Sequence, residues 1–387
     1  MDGLQKTVLS MIKTELWGEP FCPEEGVSDK DMFGEASRYG LVGFLSDKLD
    51  DFCRDDAETR KKWSKRALAD YYKSLRVLDA QASLCDILRE HEIKPVIMKG
   101  MASAWYYPDP MLRQIGDIDF IVPPGKFDEC CRVLEENGYE RGEDVERHLE
   151  YEKQGLEYEC HRYFSMNESD KDRTVDEILY AGCAKCVTRD VAGKKYYAHP
   201  DDYYGLVLLQ HTKHHLFGGM GFRQFIDWVV YADKVLDDAM WEKTFSGRIR
   251  ECGFEMLAKV MTKTAQNYLG LKKDGITWCD DADDEICERL IQYIFACDNF
   301  GVSSEDDEAV HRMGTIFRAG FFRSFDKAAL DHVPVARKHA VLRPIAWGYQ
   351  ILRWAINGPR KLMKRDEGSV SVEELKRQKK LMKDLGV

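Results

Sequence analysis

The period of the apolar positions changes twice along the chain. Up to residue 92 they recur every three or four residues, as Leu75, Leu78, Leu84, Ile87 and Leu88 do in "ALADYYKSLRVLDAQASLCDILREHEI", which predicts a helical cap. From residue 93 the texture becomes short apolar runs closed by Gly and Pro. "KPVIMKG" predicts a strand, "MASAWYYPDP" a helical turn stopped by proline, and "IGDIDFIVPPG" a second strand. "KFDECCRVLEENGY" reads as a helix ended by Gly138, "GLEYECHRYF" as a third strand, and "CVTRDVAGKKYYAH" as a β-hairpin turning at Ala-Gly. His199-Pro200-Asp201-Asp202 then opens a helix, since proline and acids suit a first turn. Helical periodicity continues over about 202–216, 222–237, 240–268, 283–298 and 336–357, and a last helix lies in "VEELKRQKKLMKDL". The pattern predicts an α+β protein with four regions: a helical cap at 1–92, an α/β core at 93–198, a helical domain at 199–335 and basic helices at 336–387.

Composition narrows the class. The chain has 387 residues, 44% of them hydrophobic, enough for a sizeable core. Twelve cysteines are scattered singly or sit vicinally, as at Cys130 and Cys131, which fits a reduced compartment better than a disulfide framework. The amphipathic, acid-containing N-terminus resembles neither a signal nor a transit peptide, and no uncharged apolar run reaches membrane-spanning length. A cytoplasmic protein is expected. Net charge is −11, but residues 337–387 carry 13 Lys and Arg against 5 Asp and Glu, a balance of +8 that leaves −19 for the rest. Such an acidic body argues against stable binding of a long nucleic acid. The basic C-terminal helices remain a weak contact for an anionic surface.

Within "GDIDFIV", two aspartates interrupt an apolar run. Successive strand side chains point to opposite faces, so Asp117 and Asp119 share one face while Ile118 and Phe120 occupy the other. Two parallel carboxylates repel unless one holds a proton or a divalent cation lies between them, and Mg²⁺ favours a few carboxylates plus phosphate oxygens. On the third strand Glu157, Glu159 and His161 alternate with Tyr158 and Cys160, so Glu157 or Glu159 is a third carboxylate if the strands are neighbours. Three carboxylates of this kind hold metals for in-line phosphoryl or nucleotidyl displacement.

The combination "IMKGMASAWYYPDPMLRQIGDIDFIV" resembles the polymerase-beta-like nucleotidyltransferase superfamily, and most of all its bacterial family of uncharacterised nucleotidyltransferases. "EYECHRYF" is similar to that family's Glu-x-His strand, and "LVLLQHTKHHLFGGMGFRQFIDWVVYAD" to its His-containing helix followed by an Asp in a helix. The resemblance covers roughly residues 65–240. It implies a small mixed-sheet nucleotidyltransferase core, with Asp117, Asp119 and Glu159 as catalytic and metal residues, Mg²⁺ or Mn²⁺ as cofactor, and ATP or another nucleoside triphosphate as substrate. It further implies that Gly100, beside Gly116, lets the backbone approach the triphosphate. Much of the superfamily has Gly-Gly or Gly-Ser where this chain has Lys99-Gly100, so Lys99 is expected to bind phosphate as a point charge or to point outward. The acceptor implied is a small molecule, a protein or a tRNA end. A non-catalytic nucleotide-binding protein retaining the fold is the alternative.

Further positions carry two readings each. Arg113 is a bidentate triphosphate partner or a surface arginine after a turn. Tyr107 stacks on a base or sugar, or belongs with Trp105 and Tyr106 to packing between helix and sheet. His211 and His215 share a helix face and bind a transition metal or, with Lys213 and beside His161, line the nucleotide cleft. The lone C-x-x-C of Cys183 and Cys186 lacks a second pair for zinc. Gly218, Gly219 and Gly221 read as a flexible turn, lacking a phosphate loop's setting. In "LRPIAWGYQILRWAINGPRKLMKR" the apolar residues Trp347, Tyr349, Ile351, Leu352, Trp354 and Ile356 are expected to pack against the helical domain, with an anionic membrane surface as the alternative.

Overall fold

The computed structural model describes residues 1–166, 169–216, 218–297, 342–362 and 372–387, together with 329, 330, 333 and 336. Helices occupy most of the first ninety residues. Gly3–Trp17 and Asp29–Arg38 each start with a capping box, Asp2 with Gln5 and Ser28 with Asp31, in which side chains satisfy amide N–H groups left open by a first turn. The long helix Ala57–Glu90 is capped by Asp56, whose carboxylate accepts from the amides of Glu58 and Thr59.

A seven-stranded mixed sheet follows, in the order β3-β4-β5-β2-β1-β7-β6. Its strands are β1 Val96–Ile97, β2 Ile118–Ile121, β3 Glu140–Asp144, β4 His148–Lys153, β5 Leu156–His161, β6 Val187–Val191 and β7 Lys194–Ala198. β2 runs parallel to β5 and antiparallel to β1, and β1 runs parallel to β7. β3, β4 and β5 form an antiparallel meander, as β6 and β7 form a hairpin. Two strands and one helix exceed the sequence reading. All five side chains of β3, "ERGED", are exposed, so this edge strand has no apolar alternation to announce it, and its charges block pairing with another edge. The helix Asp170–Cys183 is capped by Ser169 and buries Val175, Leu179 and Cys183 at four-residue spacing.

Beyond β7, the helix Asp201–Leu216 buries nearly every side chain from Tyr203 to Gln210 and lies beside Phe222–Val235. The single helix expected over 240–268 is split. Gly253 at φ +75° closes Ser246–Cys252, with its N–H donating to Arg250 and that of Phe254 to Ile249, before Glu255–Tyr268 begins. Asp284–Ala296, Arg343–Leu362 and Val372–Asp384 complete the described helices. No helix among the described residues is long and apolar enough to cross a membrane.

One apolar core joins the N-terminal helices, the sheet and the helices after it, from Val8 to Leu385. The Arg343 helix departs from expectation. Its Ile345, Trp347, Tyr349, Ile351 and Leu352 are exposed rather than packed on the helical region, while Ala346 and Gln350 face inward. The side chains of Trp354 and Ile356 lie outside the described residues, as do residues 337–341 of the helix expected from 336.

Candidate active site

Register decides which carboxylates meet. The parallel pairing of β2 with β5 sets Asp119 opposite Glu159, and Asp117 precedes β2 by one residue on the same face. Oxygens of Asp117, Asp119 and Glu159 lie within 4.8 Å of one another. Glu157, one pleat away and opposite Glu152 of β4, is exposed and takes no part.

Charge is crowded here. The negative charge of Asp119, with burial and Glu159, raises the Asp117 carboxyl above the usual range, and Lys99 only partly offsets this. Burial would raise Asp119 too, but Lys99, with Nζ 2.5 Å from Oδ1, and His161, with Nε2 at 3.0 Å, hold it well below that range. The same His161 nitrogen lies 3.0 Å from Oε2 of Glu159. Burial disfavours the Lys99 ammonium, yet Asp119, Asp117 and Glu159 raise its pKa above the ordinary lysine value.

Lys99 points inward because Gly100 turns the chain immediately after β1. Gly100 has φ +63° and ψ −115°, a conformation costly for other residues, and a Cβ there would stand 3.3 Å from Ile115 Cγ2 and 3.7 Å from the carbonyl oxygen of Asp117. Gly116 is exposed with open space around it, so sterics do not demand glycine there.

Beside Lys99 and His161 lies a small solvent-open recess whose polar lining is Lys99, Arg147, His161, Gln210, His211 and His214. His211 and His215 face each other with their Nε2 atoms 2.9 Å apart, and burial first, then neighbouring positive charge, pushes His215 down to about 3 and His211 well below its usual value. Both are neutral rings, His211 in the wall of the recess, and the metal-capable clusters among the described residues include neither.

Three expected nucleotide contacts are placed elsewhere. Arg113 is neither a free phosphate ligand nor a surface residue: its guanidinium is 5% exposed and donates through Nε and Nη2 to the two oxygens of Asp227, each at 2.7 Å. Tyr107 donates to the same carboxylate at 2.8 Å and meets Phe44 edge to face, so its ring belongs to the interior. Lys213 pairs with Asp172 at 3.0 Å and lies over Phe254, because two residues along a helix turn it about 200° from His211. Cys183 is buried against His199, with no metal-ligand set around the C-x-x-C among the described residues.

The site also contains residues that sequence reading passed over. Arg223 neighbours Asp117 and Asp227, Arg147 neighbours Lys99, and neither guanidinium has a hydrogen bond or ion pair among the described residues. Burial, with Arg113 beside it, lowers Arg223 below the ordinary arginine value. A four-residue helical spacing from Arg223 to Asp227 was the available signal. Arg147 and His148 lie in a segment whose strand went unrecognised.

A model of the family described as "Uncharacterised nucleotidyltransferase" matches residues 31–270, well over half of the chain. The chain belongs to this family. The family match extends beyond residues 65–240 of this chain on both sides, taking in the Ala57–Glu90 helix and the helices to Tyr268. Two solved structures are similar to it. The solution structure of the antibiotic-resistance factor ANT(2'')-Ia is 14% identical, with 51% of this chain and 93% of that chain covered and a TM-score of 0.26. An antigenic nucleotidyltransferase-like protein from Paracoccidioides brasiliensis is 15% identical, with 51% and 95% covered and a TM-score of 0.34. A search of curated proteins finds no match.

Proposed function

We propose that this family member transfers a nucleoside monophosphate from a nucleoside triphosphate to an acceptor hydroxyl or other nucleophile, in a reaction dependent on Mg²⁺ or Mn²⁺. The observation that carries this reading is the convergence of Asp117, Asp119 and Glu159 from adjacent strands. Three hard oxygen donors whose repulsion raises Asp117 fit a divalent cation. When bound, such an ion neutralises charge on the phosphates and lowers the pKa of the attacking group.

The chain's own residues supply position and charge. Lys99, Arg147 and Arg223 border the carboxylates and offer cations to a polyphosphate, the guanidinium groups in bidentate fashion. Gly100 keeps the loop beside Asp117 free of a side chain where substrate approaches. The acceptor oxygen bonds to the α-phosphorus as the bridge to the β-phosphate breaks, pyrophosphate leaves, and half-buried Glu159 takes the acceptor's proton. The acidic body favours a small molecule, a protein side chain or a tRNA end as acceptor over long nucleic acid.

The test is incubation with each α-³²P-labelled nucleoside triphosphate, Mg²⁺ and host lysate fractions, comparing wild type with the Asp117→Ala/Asp119→Ala variant. Label transferred by the wild type alone supports the reading. Transfer that persists in the variant overturns it. A second reading, nucleotide binding without transfer, draws on the Lys99 ammonium already seated at 2.5 Å on Asp119. It predicts calorimetric nucleotide binding with no labelled product.

A further inference from the structure

The antiparallel register of β4 and β5 sets His148 opposite His161 and Glu150 opposite Glu159. One face of the sheet therefore carries nitrogen donors immediately beside the carboxylate cluster. His148 Nδ1 lies 3.6 Å from Glu159 Oε2, His161 Nε2 lies 3.0 Å from the same oxygen, and the three donor atoms fall within 4.8 Å of one another. Ligands on a tetrahedral ion with bonds of roughly 2.0–2.1 Å stand about 3.3 Å apart, so the spacing matches such an ion with small adjustments.

The orientation of His148 is the telling detail. Its Nε2 faces the Glu150 carboxylate at 3.5 Å, while its Nδ1 is buried, has no hydrogen-bond partner and is turned towards Glu159. A metal-binding imidazole characteristically gives its second ring N–H to a carboxylate, which leaves the other nitrogen's lone pair for the ion.

We infer that His148, His161 and Glu159 form a second cation site selective for a nitrogen-preferring divalent ion such as Zn²⁺ or Co²⁺, joined to the oxygen-only site through Glu159. Imidazole selects these ions over Mg²⁺, which favours Asp117 and Asp119. The inference stands on donor geometry and does not require nucleotidyl transfer to be the activity. Lys99 and Arg147 are the nearby cations that oppose it, and they limit the affinity.

The test uses the chelator-stripped full chain titrated with Co²⁺, read by visible d–d absorption, and separately with Mg²⁺ by calorimetry. We expect a nitrogen-ligated Co²⁺ spectrum in the wild type, weakened at least tenfold in affinity in His148→Gln and restored in part by His148→Asp. Mg²⁺ affinity in His148→Gln should stay within about twofold of wild type, which also shows that the variant is folded at the site. Unchanged Co²⁺ affinity and spectrum in His148→Gln would overturn the site. So would Co²⁺ binding abolished by Asp117→Asn alone, since that places both ions on the oxygens. Failure of nucleotide labelling with an intact Co²⁺ response would count against the transfer reading only.

Discussion

Two buried aspartates are handled in opposite ways. Asp227 sits with one guanidinium and one phenol, and every contact is a direct hydrogen bond at 2.7–2.8 Å. Charge is balanced and nothing further is needed. Asp119 is equally buried, yet it shares its space with Asp117 and Glu159, and Lys99 compensates only part of the negative charge. A saturated ion pair locks helix Phe222–Val235 to the segment before β2. The unsaturated cluster keeps an open demand for positive charge. Burial alone therefore does not distinguish a structural acid from a functional one; the count of donors against acceptors does.

The sharpest break in this comparison is Asp117→Asn. It should reduce transfer on the order of a thousandfold or more, several kcal/mol of transition-state stabilisation, while leaving the protein as stable as before or more so. The sign follows from linkage. Because the folded state raises the pKa of Asp117, the folded chain binds the extra proton, and stability is lost as pH rises from the ordinary carboxylate value through the raised one. Asparagine removes that loss, so melting temperature plotted against pH should flatten in the variant. A large drop in stability would instead place Asp117 with Asp227.

Asp227→Ala should do the reverse. It leaves Arg113 as a buried, unpaired cation, at a cost of about 3–5 kcal/mol in chemical denaturation. Arg113→Lys with Asp227 intact should also be destabilising, since an ammonium cannot copy the two-pronged contact.

Glu15 supplies a third, intermediate case. It is buried in the first helix with Oε2 lacking a partner, and burial, with Asp47 adding, raises its pKa to about 8. Stability attributable to it is present below about pH 4.5 and is lost as pH rises towards 8, the direction opposite to that of a salt-bridged acid. Glu15→Gln should gain about 2–3 kcal/mol at pH 8 to 9 and almost nothing at pH 4, measured by urea titration at each pH.

The smallest effect expected is that of Arg223→Ala. An arginine without a partner among the described residues contributes little to the fold, but as a phosphate ligand it is worth about 1.5–3 kcal/mol, a tenfold to hundredfold loss of nucleotide affinity by calorimetry. Equal nucleotide affinity with reduced stability would assign it to the Asp227 cluster.

Legibility from the sequence tracked how local each signal was. The alternation in "GDIDFIV" and "LEYECH" sufficed to place Asp117, Asp119, Glu159 and His161 on strand faces, and glycine after Lys99 marked the turn. Arg113 misled because its partner lies more than a hundred residues away, and a guanidinium suits a carboxylate as well as a phosphate, whereas Tyr107 packs in the interior as one of its two readings had it. The hidden hairpin of β3 and β4 had the largest consequence. Its outer strand is wholly polar, so Arg147 and His148 entered no element and no site.

The chain by itself determined which side chains share a strand face, where helices begin, and that acids are paired within an apolar run, because these follow from backbone periods of 2 and 3.6 residues. Tertiary structure alone decided that Asp119 stands opposite Glu159 and His148 opposite His161, and that Asp227 takes Arg113 out of the cleft. Register is a long-range property: a shift of one residue turns every side chain to the other face, and only the packing of the whole sheet against its helices selects among the alternatives.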